Sequence, residues 1–287
     1  MTISELKKHF KTELSELYTD SETDFLYSVF VEKILSLNQI QQRMMSDQQL
    51  SDVNENHFQN ILSELKTGKP YQHILGETEF YGMSFFVNEN VLIPRPETEE
   101  LLEMAIQKIQ SSDFDVQGLK ILDIGTGSGI IPLVLKKHFP DTEVSSIDFS
   151  EKALEVAKRN AEFHQLEVNF IHADYLNFKL NENYDVIISN PPYIGIEEEI
   201  EIENSVKGFE PIMALFSPTS DALIFYKKIA EDSIKHLNKN GFLFLEINQK
   251  LGCETLELYQ DILSNAELIK DLSGNDRFIY AKNKTNE

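Results

Sequence analysis

From residue 119 onward, short apolar and β-branched runs alternate with helical stretches, and this alternation constrains the fold more than any other feature. The runs are LKILDIG, TEVSSID, EVNFIHAD, YDVIISN and GFLFLEIN. Strands separated by helices predict a parallel, doubly wound α/β sheet. Two further runs, AELIKDLSG and DRFIYAKN, flank Gly274-Asn275-Asp276 and predict a terminal antiparallel hairpin at the sheet edge.

The first 68 residues differ in kind. Ile3, Leu6, Phe10, Leu14 and Leu17 recur at spacings of three and four, as on one helix face. Ser21-Glu22-Thr23-Asp24 has the form of a capping box, followed by the apolar stripe Phe25, Leu26, Val29, Phe30, Ile34 and Leu37. A last helix carries Leu50, Val53, Phe58, Ile61, Leu62 and Leu65, closed by Gly68 and Pro70. Residues 1–68 are expected to form a small helical bundle. Residues 69–96, aromatic and broken by Gly76 and Gly82, read as a β-hairpin linker with VNENV as its turn. Residues 97–287 are then the catalytic domain, opened by a helix at Pro96 with Glu97, Glu99 and Glu100 in its first turn.

Charge narrows the partners. The chain holds 48 acidic against 26 basic residues, a formal net charge of −22. Binding that rests on neutralising phosphates needs a basic surface, so naked nucleic acid is disfavoured and a protein partner is easier to accommodate. No apolar run approaches the roughly 18 residues of a membrane span. The N-terminus alternates Lys and Glu without an apolar core, and the single Cys253 fits a reducing compartment, so a cytoplasmic protein is expected. The seven His residues show no metal-ligand spacing, and no metal is expected. The absence of a long apolar surface helix points to a monomer.

ILDIGTGSGIIPLVL sets Gly125, Gly127 and Gly129 between a buried strand and a helix, with Thr126 and Ser128 interleaved. Glycines there let the backbone turn tightly and approach a ligand closely. The spacing is GxGxG rather than the GxGxxG of pyrophosphate sites, which counts against a nicotinamide dehydrogenase. Asp123, two residues before the first glycine, would repel a pyrophosphate but suits the ammonium of a methionyl group. The cofactor expected is therefore S-adenosylmethionine. Asp148 ends the next strand, where its carboxylate can accept both ribose hydroxyls. Asp174, after NFIHA, is placed to accept from the adenine amine, and Tyr175 to cover the ring.

The fourth strand ends in Asn190-Pro191-Pro192-Tyr193. Two prolines restrict themselves and the residues before them, so the segment is stiff before any ligand arrives. It can aim the Asn190 side-chain oxygen and the Pro191 carbonyl at one point, where two acceptors hold both hydrogens of an NH2 group. Tyr193 offers a flat face to a planar amide or base. This arrangement suits methyl transfer to a poorly nucleophilic nitrogen, because proximity and orientation can supply roughly 7–11 kcal/mol.

Asn-Pro-Pro-Tyr after a GxGxG domain resembles the amino-methyltransferases. Segments 68–102 (GKPYQHILGETEFYGMSFFVNENVLIPRPETEELL), LDIGTGSG, SNPPYI and GFEPIMAL (208–215) together resemble the HemK/PrmC release-factor glutamine methyltransferases. The resemblance spans about residues 66–282. Pro94-Arg95-Pro96-Glu97-Thr98 is the release-factor form, whereas the ribosomal-protein glutamine methyltransferases typically carry Pro-Arg-Ser-Pro. The resemblance implies a class I S-adenosylmethionine-dependent methyltransferase fold. It implies methylation of the glutamine amide in the GGQ loop of peptide-chain release factors. Gly125 to Gly129, Asp148, Tyr175 and Asn190 would contact the cofactor, Asn190 to Tyr193 the glutamine, and the helical N-terminal domain the release factor. An adenine-specific nucleic-acid methyltransferase shares the tetrapeptide but should bring a basic cleft. A non-catalytic scaffold protein should show a damaged loop, and this one is intact. Arg95, the FEP segment at 209–211 and the acidic run IEEEIEIE at 196–203 have open roles. The acidic run reads as a solvated loop or lid helix, and Glu246 as a supporting acceptor.

Overall fold

The computed structural model describes residues 1–112, 116–194 and 208–283, so the acidic run 196–203 lies outside the described residues. The chain forms two compact units, one over Met1–Gly76 and one beginning at Glu77.

In the first unit, helices α1 (Ile3–Leu14), α2 (Asp20–Leu35), α3 (Gln39–Met44), α4 (Asp52–Leu65) and α5 (Tyr71–Leu75) enclose a core of their own. Ile3, Leu6, Phe10 and Leu14 are all buried on α1, and Phe58, Ile61, Leu62 and Leu65 on α4. The capping box of α2 is built two residues earlier than the sequence suggests. Thr19 is the N-cap and Glu22 reaches back to its N–H, the Ser/Thr-x-x-Glu form of the box, whereas Ser21 is followed three residues on by the shorter Asp24. Of the predicted stripes, Leu17, past the end of α1, Phe25 and Val53 are exposed. Phe25 instead meets Tyr71 edge-on at 5.4 Å.

The second unit opens with a hairpin, β1 (Glu77–Phe80) and β2 (Met83–Phe86). Its turn is Tyr81-Gly82, both at positive φ, and not VNENV, which follows the second strand. A two-residue turn with left-handed residues matches strand twist, and Gly82 takes that conformation without strain. After α6 (Pro96–Gln110) come β3 (Lys120–Ile124), α7 (Ile130–His138), β4 (Glu143–Asp148), α8 (Glu151–His164), β5 (Asn169–His172) and β6 (Tyr184–Ser189). The helix Ile224–His236, β7 (Leu237–Glu246), the helix Gly252–Gln260, β8 (Ser264–Lys270) and β9 (Asp276–Lys282) complete it.

The seven strands run in the order β5-β4-β3-β6-β7-β9-β8. The pairs from β5 to β7 are parallel, and β9 is antiparallel to both β7 and β8. The terminal hairpin is therefore present, with its second strand inserted beside β7 and its first on the edge. Side chains alternate between two cores. Ile121, Val186, Ile188, Phe242 and Phe244 join Leu101, Leu102 and Leu133 on one face. Leu122, Ile187, Leu243 and Leu245 join Tyr226, Ile229 and Tyr259 on the other. Burial on both faces explains why these strands read as continuous apolar runs. No described helix is long and apolar enough to cross a membrane.

The topology also locates the site. The chain proceeds from β3 outward to β4 and β5, then returns to place β6 on the opposite side of β3. The carboxyl ends of β3 and β6 border this switch point, where open α/β sheets bind ligands.

Candidate active site

Gly125 to Gly129 form the turn between β3 and α7, with φ of 90°, 53° and 86° at the three glycines. A Cβ on Gly129 would lie 3.1 Å from the Ala157 Cβ, so glycine there permits both the left-handed backbone and close packing on α8. A Cβ on Gly125 would lie 3.5 Å from the Asn190 backbone oxygen. The loop and the tetrapeptide thus meet across the switch point. Thr126 and Ser128 are buried beneath it. The Ser128 carbonyl accepts from Asn160 Nδ2 at 2.8 Å, and the same Asn160 side chain bonds both the N–H and C=O of Phe86, tying loop to hairpin.

Asp123 is fully buried at the end of β3. Ser146 donates to its Oδ2 at 2.5 Å and in turn contacts the Thr126 hydroxyl. Its Oδ1 has no hydrogen-bond partner among the described residues. Burial, reinforced by the nearby Asp148 and opposed by Ser146, pushes its carboxyl up to about 7. An orphaned buried acceptor under a glycine loop fits an ammonium arriving from the ligand side. Asp148, at the end of β4, accepts from the Gly127 N–H at 2.9 Å and the Ser150 N–H at 2.8 Å, one on each oxygen. Burial raises its carboxyl and the backbone donors pull it back. Each oxygen retains a lone pair, which fits a vicinal diol.

Asp174 lies just past β5. Its oxygens are engaged by the Leu176 N–H at 3.1 Å and Asn177 Nδ2 at 2.6 Å, so it organises the turn 174–178. Tyr175 departs from expectation. Its side chain is 4% exposed, it belongs to the core between the sheet and helix Ile224–His236, and its hydroxyl donates to Asp232 at 2.9 Å. A ring held inward by that bond and by apolar burial does not cover a ligand at the strand ends. Phe149, which the sequence reading passed over, is 59% exposed directly after Asp148. A large exposed aromatic beside a strand-terminal acid offers a flat face of the kind on which an adenine ring can stack. The pattern of an aromatic after a strand-end acid does not single it out, because Tyr175 fits the same pattern and is buried.

The tetrapeptide leaves β6 at Ser189, whose hydroxyl donates to the Ile124 carbonyl at 2.6 Å. Pro191 is buried, and Asn190, Pro192 and Tyr193 are half-buried. The far end is fixed by Ile194, which donates to the Leu215 carbonyl at 3.1 Å and accepts from Ser217 at 3.0 Å. Asn190 Nδ2 donates to Thr98 Oγ1 at 3.1 Å. Thr98 donates to Glu246 Oε2 at 2.7 Å, and the Tyr193 hydroxyl reaches Glu246 Oε1 at 3.4 Å. Burial first, then the Glu246 charge, pushes the Tyr193 hydroxyl well above its usual value. Glu246 therefore supports the tetrapeptide at both ends, and Thr98 is a participant that sequence alone did not single out. Arg95 and the FEP segment also acquire a place: Arg95 pairs with Glu210 at 2.6 Å, and Glu210 accepts from the Ile93 N–H at 2.9 Å.

A parallel sheet with a terminal antiparallel hairpin, a GxGxG turn, acids at successive strand ends and a stiff polar tetrapeptide at the switch point define a class I S-adenosylmethionine-dependent methyltransferase. The Methyltransferase small domain family model matches residues 102–205, and the PrmC N-terminal domain matches residues 5–76. A protein named release factor glutamine methyltransferase from Flavobacterium psychrophilum is 42% identical, over 97% of this chain and 98% of its own. One of the same name from Lactococcus lactis is 36% identical, over 93% and 97%. The chain belongs to the release factor glutamine methyltransferase family. Among solved structures, a methyltransferase from Pyrococcus furiosus shares the fold, with a TM-score of 0.53 at 19% identity over 78% of this chain and 100% of that one.

Proposed function

We propose that this protein transfers a methyl group from S-adenosylmethionine to the side-chain amide nitrogen of the GGQ glutamine of peptide-chain release factors. Family membership supports the substrate, and the observation that carries the chemistry is the close approach of the Asn190 backbone to Gly125. It brings an amide-holding tetrapeptide against the cofactor loop. S-adenosylmethionine, when bound, supplies an electrophilic methyl on a sulfonium sulfur.

The chain's own residues do the rest. Gly125 to Gly129 admit the cofactor backbone, Asp148 accepts its diol, Asp174 faces its amine, and Asp123 compensates its ammonium. Asn190 Oδ1 and the Pro191 carbonyl accept the two hydrogens of the glutamine NH2, and Tyr193 with Pro192 lines its flat face. Held by both hydrogens, the nitrogen can pyramidalise and direct its lone pair at the methyl carbon. The two carbonyl dipoles stabilise the positive charge that develops on that nitrogen. The nitrogen becomes acidic only as the bond forms, so no base must act first, and its proton leaves afterwards.

Residues 1–68 serve as the release-factor recognition module, 97–287 as the catalytic domain, with 69–96 joining them. The enzyme works as a monomer in the cytoplasm, and the net charge of −22 disfavours naked nucleic acid as a substrate. The test is mass spectrometry of a release factor incubated with enzyme and S-adenosylmethionine. The expected result is a gain of one methyl on the GGQ glutamine and none on a release factor lacking that glutamine. Label appearing only in nucleic acid would overturn the assignment.

A further inference from the structure

We propose that Thr98 and Glu246 are positioning residues that decide which way round the Asn190 carboxamide is held, so that its oxygen and not its NH2 faces the substrate amide. The inference rests on the function proposed above. The two ends of a carboxamide have nearly the same shape, and packing alone discriminates poorly between them. Only one orientation is productive, because a substrate NH2 needs an acceptor.

The direction of the hydrogen bonds makes the choice. Thr98 Oγ1 carries one proton and lies 2.7 Å from Glu246 Oε2. An ionised carboxylate can only accept, so it takes that proton. The hydroxyl oxygen then offers only lone pairs to Asn190, 3.1 Å away, and only Nδ2–H can satisfy them. The reversed amide would set its oxygen against the hydroxyl's lone pairs. Thr98 is 2% and Glu246 1% exposed, so water does not compete for these bonds. The same carboxylate receives the Tyr193 hydroxyl on its other oxygen, so one buried charge polarises both ends of the tetrapeptide. Thr98 sits in the first turn of α6, a helix whose other early residues are Pro96, Glu97 and Glu99. A buried hydroxyl there has no capping duty, and among the described residues its side-chain bonds run to Asn190 and Glu246.

The device has a built-in pH response. Burial pushes the Glu246 carboxyl up to about 7, opposed by the Thr98 bond and by Arg277 and reinforced by Glu97. The groups facing it are Arg277 from β9, Glu97 and Thr98 from α6, Tyr193 from the tetrapeptide, and Tyr226, whose hydroxyl donates to the Glu246 carbonyl. Once protonated, Glu246 can donate to Thr98, whose own proton is then free to turn toward Asn190. The reversed amide is no longer penalised.

The experiment measures kcat against pH for methylation of a release factor at saturating S-adenosylmethionine. It compares the wild type with Thr98→Val, Thr98→Ser and Glu246→Gln. Thr98→Val should lower kcat at least about tenfold, with KM for the release factor and cofactor affinity within about threefold. Thr98→Ser, which keeps the hydroxyl, should restore kcat to within about threefold of wild type. The wild-type rate should fall on acidification through neutrality, and Glu246→Gln should abolish that limb. Wild-type kcat in Thr98→Val, or an unchanged acid limb in Glu246→Gln, overturns the inference. Should Thr98→Val not fold, the isosteric Glu246→Gln decides by its pH profile. A wild-type enzyme that methylates no release factor would instead sink the function itself, so the two failures are distinct.

Discussion

The N–H of Gly127 donates to Asp148 Oδ2 at 2.9 Å, joining the glycine loop after β3 to the acid that ends β4. The acid therefore holds the loop in shape, and in the function proposed above it also accepts the cofactor's ribose hydroxyls. Asp148→Ala removes both at once. Hydrogen bonds to a charged group are worth roughly 1.5–3 kcal/mol each, so cofactor affinity should fall by about two orders of magnitude. Isothermal titration calorimetry with S-adenosylmethionine measures this directly, and unchanged affinity would remove Asp148 from the site.

Asn190→Ala separates binding from turnover. In the function proposed above the side chain addresses the substrate amide, whereas the Asn190 backbone, which stays, is what approaches Gly125. Removing a preorganised acceptor at a developing charge costs roughly 10²–10³ in kcat. The variant should lose turnover on that scale and bind cofactor within several-fold of wild type, as single-turnover assays paired with calorimetry would reveal. Near-normal methylation would contradict the role given to Asn190.

How far the sequence disclosed this site depends on whether a feature is local. The β3 turn, the strand-terminal Asp148 and the Asn190-to-Tyr193 segment are contiguous patterns whose glycine and proline constraints operate on their own backbone. The parallel sheet was legible for the same reason, since each strand's burial is written in its own residues. Thr98 was not legible, because its partners Asn190 and Glu246 are 92 and 148 residues away and only the sheet order unites them. Tyr175 misled because an aromatic after a strand-end acid can turn either outward or inward. Asp232 lies 57 residues on, and its bond to the hydroxyl turns Tyr175 inward. The hairpin turn was misplaced because Asn-Glu-Asn looks like a turn, while Tyr81 at a φ of 49° does not.

Asp123 should reveal itself through the pH dependence of stability. Burial pushes its carboxyl up to about 7 in the folded protein, from about 3.8 for an unperturbed aspartate. Between those values the folded state keeps a proton that the unfolded chain has lost. This group's contribution therefore diminishes stability as pH rises from about 4 to about 7, and the loss persists above that. Asp123→Asn cannot ionise and escapes it. The stability difference between variant and wild type should shift in the variant's favour by roughly 1–3 kcal/mol between pH 5 and pH 8. Urea denaturation of ligand-free protein at the two pH values checks this, and a pH-independent difference would count against it.

Glu210 offers a test of how the segment leading into α6 is held. Its side chain is 1% exposed, and it accepts both from the buried Ile93 N–H and from Arg95, whose own side chain is 34% exposed. The arginine's partial exposure screens the ion pair, so most of the energetic weight rests on the backbone bond. Glu210→Ala leaves the Ile93 N–H buried without this acceptor, a loss of roughly 1–3 kcal/mol. Glu210→Gln keeps an oxygen for that N–H and should lose less, whereas Arg95→Ala strands the carboxylate and should fall between the two. Because Ile93 and Arg95 directly precede α6, which carries Thr98, the Glu210→Ala change should also reduce kcat more than it changes cofactor affinity. Denaturation midpoints together with steady-state kinetics on the three variants would establish the order. An Arg95→Ala loss larger than that of Glu210→Ala would show that the charge, and not the backbone bond, dominates.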